Sequence, residues 1–141
     1  MKELNFDSGV VTYRLNGKYE LSVNPSDVFF VEKLYGAFEA LDQKQGEYQK
    51  AVEAAKGNKT LFDVAHQIDC EMREIINQAF GQDICTPLFD EVSVYAISAN
   101  TGMPVWMNLM FTVLDEIDGI VNGAQKKASE RLKKYTSKYH R

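Results

Sequence analysis

Apolar positions recur along the chain with two different periods. Residues 10–23 are rich in β-branched and aromatic side chains and are divided by Asn16-Gly17. Such side chains fit a pleated surface, and Asn-Gly suits a two-residue hairpin turn because both positions take positive φ. The pattern predicts a β-hairpin in which Leu15 faces Lys18, Tyr13 faces Glu20 and Thr12 faces Leu21. Val10, Thr12, Leu21 and Val23 then share the buried face. A lone hairpin is marginal in water, so this one must lean on helices or on another chain.

After the hairpin the spacing changes to three and four. Asn24-Pro25-Ser26-Asp27 predicts a helix start with Asn24 as the cap, Pro25 in first position and Asp27 near the positive end of the dipole. Val31, Leu34, Phe38, Leu41, Tyr48, Val52 and Ala55 form one stripe, which predicts a helix to about Lys56. Gln45 and Gly46 interrupt that stripe, so the second half is expected to protrude. Thr60 and Asp63 are a weaker start signal for a second helix over 61–79, with Leu61, Val64, Ala65, Ile68, Met72, Ile75, Ile76 and Ala79 inward and Gly81 closing it. The short Gly57–Lys59 link makes the two helices antiparallel neighbours.

Residues 82–103 are less regular. Thr86-Pro87 predicts a helical turn through Asp90, Val92–Ile97 a short strand that would join the hairpin, and Asn100-Thr101-Gly102 a turn. Pro104 opens a third long helix over 104–123, with Trp106, Leu109, Met110, Val113, Leu114, Ile117, Ile120 and Val121 as its apolar stripe. Residues 126–141 suit a helix but lack an apolar face, and a helical extension is expected there. The fold class is therefore mainly α (α+β). An N-terminal hairpin, with one further short strand, packs on about three long helices. Residues 1–125 form one helical domain and 126–141 a basic extension.

Length and composition agree with one ordinary globular domain: 141 residues, 45% hydrophobic and 26% charged. No apolar run is long enough to span a bilayer and no secretory leader is evident, so a cytoplasmic protein with reduced Cys70 and Cys85 is expected. The net charge of −4 hides an asymmetry. Residues 1–125 hold 9 Lys/Arg and 19 Asp/Glu (−10), whereas 126–141 hold 7 Lys/Arg against Glu130 (+6). Lys126, Lys127, Arg131, Lys133, Lys134 and Lys138 make a candidate basic contact tail, for an acidic protein surface or for phosphates. Tyr135 and Tyr139 between the lysines superficially suit single strands. The −10 body opposes nucleic acid.

The parts list of an enzyme is missing. Asp63, His66 and Cys70 share one helical face, with Cys85 as a further candidate metal ligand, but zinc sites bring paired ligands from two places and the second pair is absent. The bland reading is a partly buried histidine beside a small apolar cysteine. Asp69, Glu71 and Glu74 on the second helix, and Asp115, Glu116 and Asp118 on the third, read as solvated acidic faces, with Arg73 among their counter-charges. No nucleophile elbow, phosphate loop or dinucleotide fingerprint occurs. No catalytic residue, metal or cofactor is expected.

The first helix is apolar all round at Val28-Phe29-Phe30-Val31, and Tyr35 and Phe38 add to it. Phe29, Phe30, Tyr35 and Phe38 cannot all face one small core, so either the hairpin covers the excess or a partner does. The strand, Asn-Gly-Lys turn, Tyr-Glu-Leu strand and helix spanning Val10–Val23 and Pro25–Leu41 resemble the start of tail assembly chaperones of long-tailed phages that infect Gram-positive bacteria. More widely, the chain resembles a family of short phage and prophage proteins of Firmicutes. That likeness rests on Phe6-Asp7-Ser8-Gly9, Asn24-Pro25-Ser26-Asp27, Cys85-Thr86-Pro87-Leu88-Phe89, Met103-Pro104-Val105-Trp106 and Lys133–Tyr139. The resemblance implies a small, helical, non-enzymatic protein that binds the tape-measure protein, recruits the major tail protein and self-associates. It transfers no binding residue, because such chaperones have no sharp motif. The alternative is a small regulatory protein that contacts nucleic acid through its basic tail.

Overall fold

The computed structural model describes the backbone of residues 1–139 and the side chains of residues 1–123 and Glu130. Its elements are β1 (Val11–Leu15), β2 (Tyr19–Val23), α1 (Val28–Ala54), α2 (Asn58–Phe80), α3 (Cys85–Phe89) and α4 (Val105–Tyr139). The structure is mainly helical, with an N-terminal two-stranded antiparallel hairpin packed on the helices. The candidate extension begins within α4, whose backbone crosses residue 125 without a break.

The hairpin forms where its turn signal lies, but its register is displaced by one residue. Asn16 and Gly17 both take positive φ, 51° and 66°, and the Lys18 amide closes on the Leu15 carbonyl at 2.9 Å. Pairing resumes at Leu15 with Tyr19, so Lys18 belongs to a three-residue loop, Tyr13 faces Leu21 and Thr12 faces Ser22. Because side chains alternate with a period of two, this slip turns the first strand over relative to the expectation. Tyr13 and Leu15 are half-buried on the same face as Tyr19, Leu21 and Val23. Val10 and Thr12 are exposed; the Thr12 and Ser22 hydroxyls meet at 2.8 Å on the outer face.

The cap of α1 is Asp27, whose Oδ1 accepts the Phe29 amide at 3.1 Å. Asn24 instead accepts the Ser26 amide at 3.1 Å in the turn before the helix, which leaves Pro25 buried ahead of it rather than in first position. At the other end Gly57 is the N-cap of α2, so Thr60 and Asp63 lie inside that helix. Gly81, at φ 70°, ends α2 as glycine ends helices, with the Gly81 and Gln82 amides reaching back to the Gln78 and Asn77 carbonyls. Contacts between Phe30 and Phe80, and between Lys44 and Glu71, show that α1 and α2 run antiparallel.

Against this pair α4 lies antiparallel to α1, since Trp106 meets Phe38 and Gln45 and residues 113–117 meet Phe30 and the hairpin. Trp106 is fully buried, and its indole Nε1 donates to Gln45 Oε1 at 2.9 Å. Gln45 therefore does not interrupt the inner face of α1. It is the one buried polar side chain among the described residues, and it is turned inward because the tryptophan needs an acceptor.

Residues 92–97 form no strand and do not pair with the hairpin. The segment makes one isolated bridge, Ile97 to Pro104, and gives its carbonyls to the start of α4: Val105 donates to Ala96 at 2.9 Å and Trp106 to Val94 at 3.0 Å. The first amides of a helix have no partner inside it. This segment supplies them, which excludes a sheet ladder with those same carbonyls.

Leu34 is fully buried in the second turn of α1. Leu34→Asp should cost more than about 4 kcal/mol, because a charge enters the core without a partner. Loss of the far-ultraviolet helical signal checks this. A variant with unchanged helicity and melting temperature would place Leu34 at an interface instead. Gln45→Ala should cost about 1–3 kcal/mol by orphaning the indole N–H, and that cost should vanish when Trp106 is already Phe. Denaturant unfolding of the four members of the cycle measures it.

Candidate functional site

On α1, Phe30, Leu34, Phe38, Leu41 and Gln45 turn toward the core. Phe30 meets Phe80 edge-on at 5.9 Å, and Phe38 lies 5.3 Å from Trp106 and 5.4 Å from Phe111. Phe29 and Tyr35 fall outside that arc and are 69% and 57% exposed, next to an equally exposed Val28. The four aromatic residues singled out from sequence thus divide into two that pack and two that face outward.

A second group of exposed apolar side chains lies on the N-terminal arm. The arm of residues 1–10 carries Leu4 and Phe6, both more than four-fifths exposed. Its root is tied to the turn before α1: Asn24 Nδ2 donates to the Ser8 carbonyl at 3.1 Å. Gly9 passes so close that a Cβ there would meet Asn24 Nδ2 at 2.9 Å, and its φ is 83°. The alternation of Leu4 and Phe6 with polar residues is the sequence signal for this arm.

The other candidates have structural surroundings. Asp63, His66 and Cys70 are all exposed, so His66 is not the partly buried residue expected. Cys85 is buried, with its Sγ 3.7 Å from the Arg73 carbonyl. Among the described residues no group of His, Cys, Asp or Glu is arranged to hold a metal ion. Asp115, Glu116, Asp118 and Glu74 are exposed as expected. Asp69 is not part of a solvated face. It accepts from Arg73 Nε at 2.9 Å and from the Val94 amide at 2.8 Å, while Arg73 donates to the Asp90 and Val92 carbonyls at 2.7 and 2.8 Å. This pair on α2 clamps the loop that starts α4.

Glu71 lies 2.6 Å from Lys44 across the α1–α2 contact. Hydrogen bonding to Lys44 holds the Glu71 carboxyl below its usual range and raises Lys44 in return. Both groups are partly open to water, so the pair is worth at most about 1 kcal/mol. What it contributes is lost at acid pH as Glu71 protonates and at strongly alkaline pH as Lys44 discharges. Hydrogen bonds from Thr86 likewise lower Asp83, at the start of α3.

Between the hairpin and α4 lies an apolar cavity of about 200 Å³, lined by Leu21, Val23, Pro25, Phe30, Val113 and Ile117 with Tyr13, Arg14 and Glu116. Lys126, Lys127, Arg131, Lys133, Lys134 and Lys138 lie outside the residues whose side chains are described. Among the described residues no helix is long and apolar enough to cross a membrane. No family model, curated protein or solved structure matches the chain.

Burial pushes the Cys85 thiol up to about 12 from its ordinary 9.0. A raised folded value means that the folded state keeps a proton that the unfolded chain gives up. Stability linked to Cys85 is therefore complete below pH 9.0 and declines as pH rises toward 12. At pH 8 a thiol-specific disulfide reagent should label Cys70 in the native protein and Cys85 only on unfolding, because reaction needs an accessible thiolate. Equal native rates for the two thiols would contradict the placement of Cys85.

Proposed function

We propose that this protein is a bacteriophage tail assembly chaperone, a non-catalytic protein that binds the tape-measure and major tail proteins in the host bacterial cytoplasm. The observation that carries the reading is the exposure of Phe29 and Tyr35 on α1 and of Leu4 and Phe6 on the N-terminal arm. Exposed apolar groups of this size, held by a capped helix and a tethered arm, suit a protein interface, where aromatic anchors supply most of the binding energy. The small helical scaffold and the resemblance of Val10–Leu41 to such chaperones support the narrower identification. Self-association through the same surface belongs to the proposal.

Phe29→Ser combined with Tyr35→Ser tests it. Both side chains are mostly exposed, so the melting temperature should move little. Retention of tape-measure and tail-tube proteins at micromolar concentration should fall at least about tenfold if the two residues are anchors. No retention by the wild-type chain would sink the proposal. Binding to DNA or RNA that weakens steeply with salt would favour the basic tail as the working surface instead.

A further inference from the structure

A trough runs along α4 beside the hairpin. The cavity lined by Leu21, Val23, Val113 and Ile117 is open to solvent, and the exposed Arg14, Thr112 and Glu116 belong to its lining. A second cavity, of about 510 Å³, follows it along α4, lined by Leu88, Val105 and Leu109 with Lys18 and Asp90. Leu15 and Thr112 line both, so the two cavities are one trough. The arm of residues 1–10 does not fill it in its own chain. No arm residue lines either cavity, and Leu4 and Phe6 are more than four-fifths exposed. The hydrogen bond from Asn24 to the Ser8 carbonyl fixes the root of the arm beside the residue that follows β2. One chain thus holds an apolar arm with nothing to cover it and an apolar trough with nothing in it.

We propose that the trough receives the arm of a second copy of this chain, in a two-fold dimer that exchanges arms. The spacing of the two surfaces agrees. In an extended arm Lys2, Leu4 and Phe6 lie on one side, about 6.8 Å apart, and Glu3, Asn5 and Asp7 lie on the other. Along the trough Ile117, Val113 and Leu109 follow at four-residue intervals of α4, about 6 Å apart. Leu4 then enters the first cavity against Val113, and Phe6 the second and larger one against Leu109. Charge sets the direction of the arm. Glu116, beside Ile117, has no ion pair among the described residues, whereas Arg14 in the same lining is held by Glu20 at 3.3 Å. Lys2 therefore lies at Glu116, and the polar side of the arm stays in water. This contact gives the self-association proposed above a defined surface. It involves no tail protein, so either reading can fail alone.

Sedimentation velocity of the full chain tests it. A reversible dimer is expected, with a dissociation constant of about 10–100 µM for so small an interface. Leu4→Ser combined with Phe6→Ser should weaken it at least about tenfold with little change in melting temperature, since both side chains are exposed. Thr112→Arg sets a long charged side chain where the two cavities join, and it should weaken the dimer equally without loss of helical signal. Lys2→Glu and Glu116→Lys, both at exposed positions, should each weaken it about two- to fivefold and together restore it. In a mixture of the two dimer-deficient chains, the arm of Thr112→Arg should shift the Leu109 and Val113 methyl resonances of the armless-side variant, Leu4→Ser/Phe6→Ser. A wild-type chain that stays monomeric up to about 1 mM would overturn the proposal. So would a dimer that survives the arm substitutions or a folded Thr112→Arg, a charge reversal that does not recover when both partners are reversed, or a mixture without those methyl shifts.

Discussion

The fold depends on where Trp106 goes. It is the largest fully buried side chain, and two separate parts of the chain, α1 and the 92–97 segment, meet on it. Its indole N–H is held by Gln45 of α1, its ring is met edge-on by Phe38, and its backbone amide is held by the Val94 carbonyl. A buried indole donor without an acceptor is costly, and a buried glutamine without a donor is equally so. Each therefore requires the other. The pair sets the height at which α4 crosses α1, and so places Val113 and Ile117 under the hairpin.

A second polar device holds the start of α4. Asp69 and Arg73, one helical turn apart on α2, take up the backbone of residues 90–94 from both sides, the carboxylate holding an amide and the guanidinium two carbonyls. Tyr95 adds to this by stacking on Tyr48 at 4.0 Å and donating to the Ala65 carbonyl at 3.0 Å. The loop between α3 and α4 has little regular structure of its own. Its polar backbone is satisfied by side chains of α2, as a partly buried loop requires.

Much of this was legible in the residues, and the failures have physical causes. The apolar stripes of α1, α2 and α4 locate those helices because burial of one face is a periodic constraint. Gly81 ends α2 and Thr86-Pro87 lies in α3 for equally local reasons. The hairpin register was not legible, because Asn-Gly permits a loop of two or three residues and the choice depends on what the helices bury. Tyr13 and Leu15 offer more apolar area than Val10 and Thr12, and they are the pair turned inward. Polarity alone points Gln45, Asp69 and Arg73 toward solvent. Their partners, Trp106 and the 90–94 backbone, are remote in sequence, and no local pattern reveals them. The division of Phe29, Phe30, Tyr35 and Phe38 is set by which face of α1 packs on Phe80 and Trp106, residues remote in sequence.

The exposed aromatic surface and the cavity occupy parts of the molecule that this framework holds in place. Both rest on α4, α1 and the 92–97 segment behaving as one unit around Trp106. Native-state amide hydrogen exchange tests that unity most directly. The amides of Trp106, Leu41 and Met72 should exchange with one common opening free energy, equal to that of global unfolding. A Trp106 amide that exchanges orders of magnitude faster than the other two would show α4 opening on its own, and would contradict the role assigned to the tryptophan.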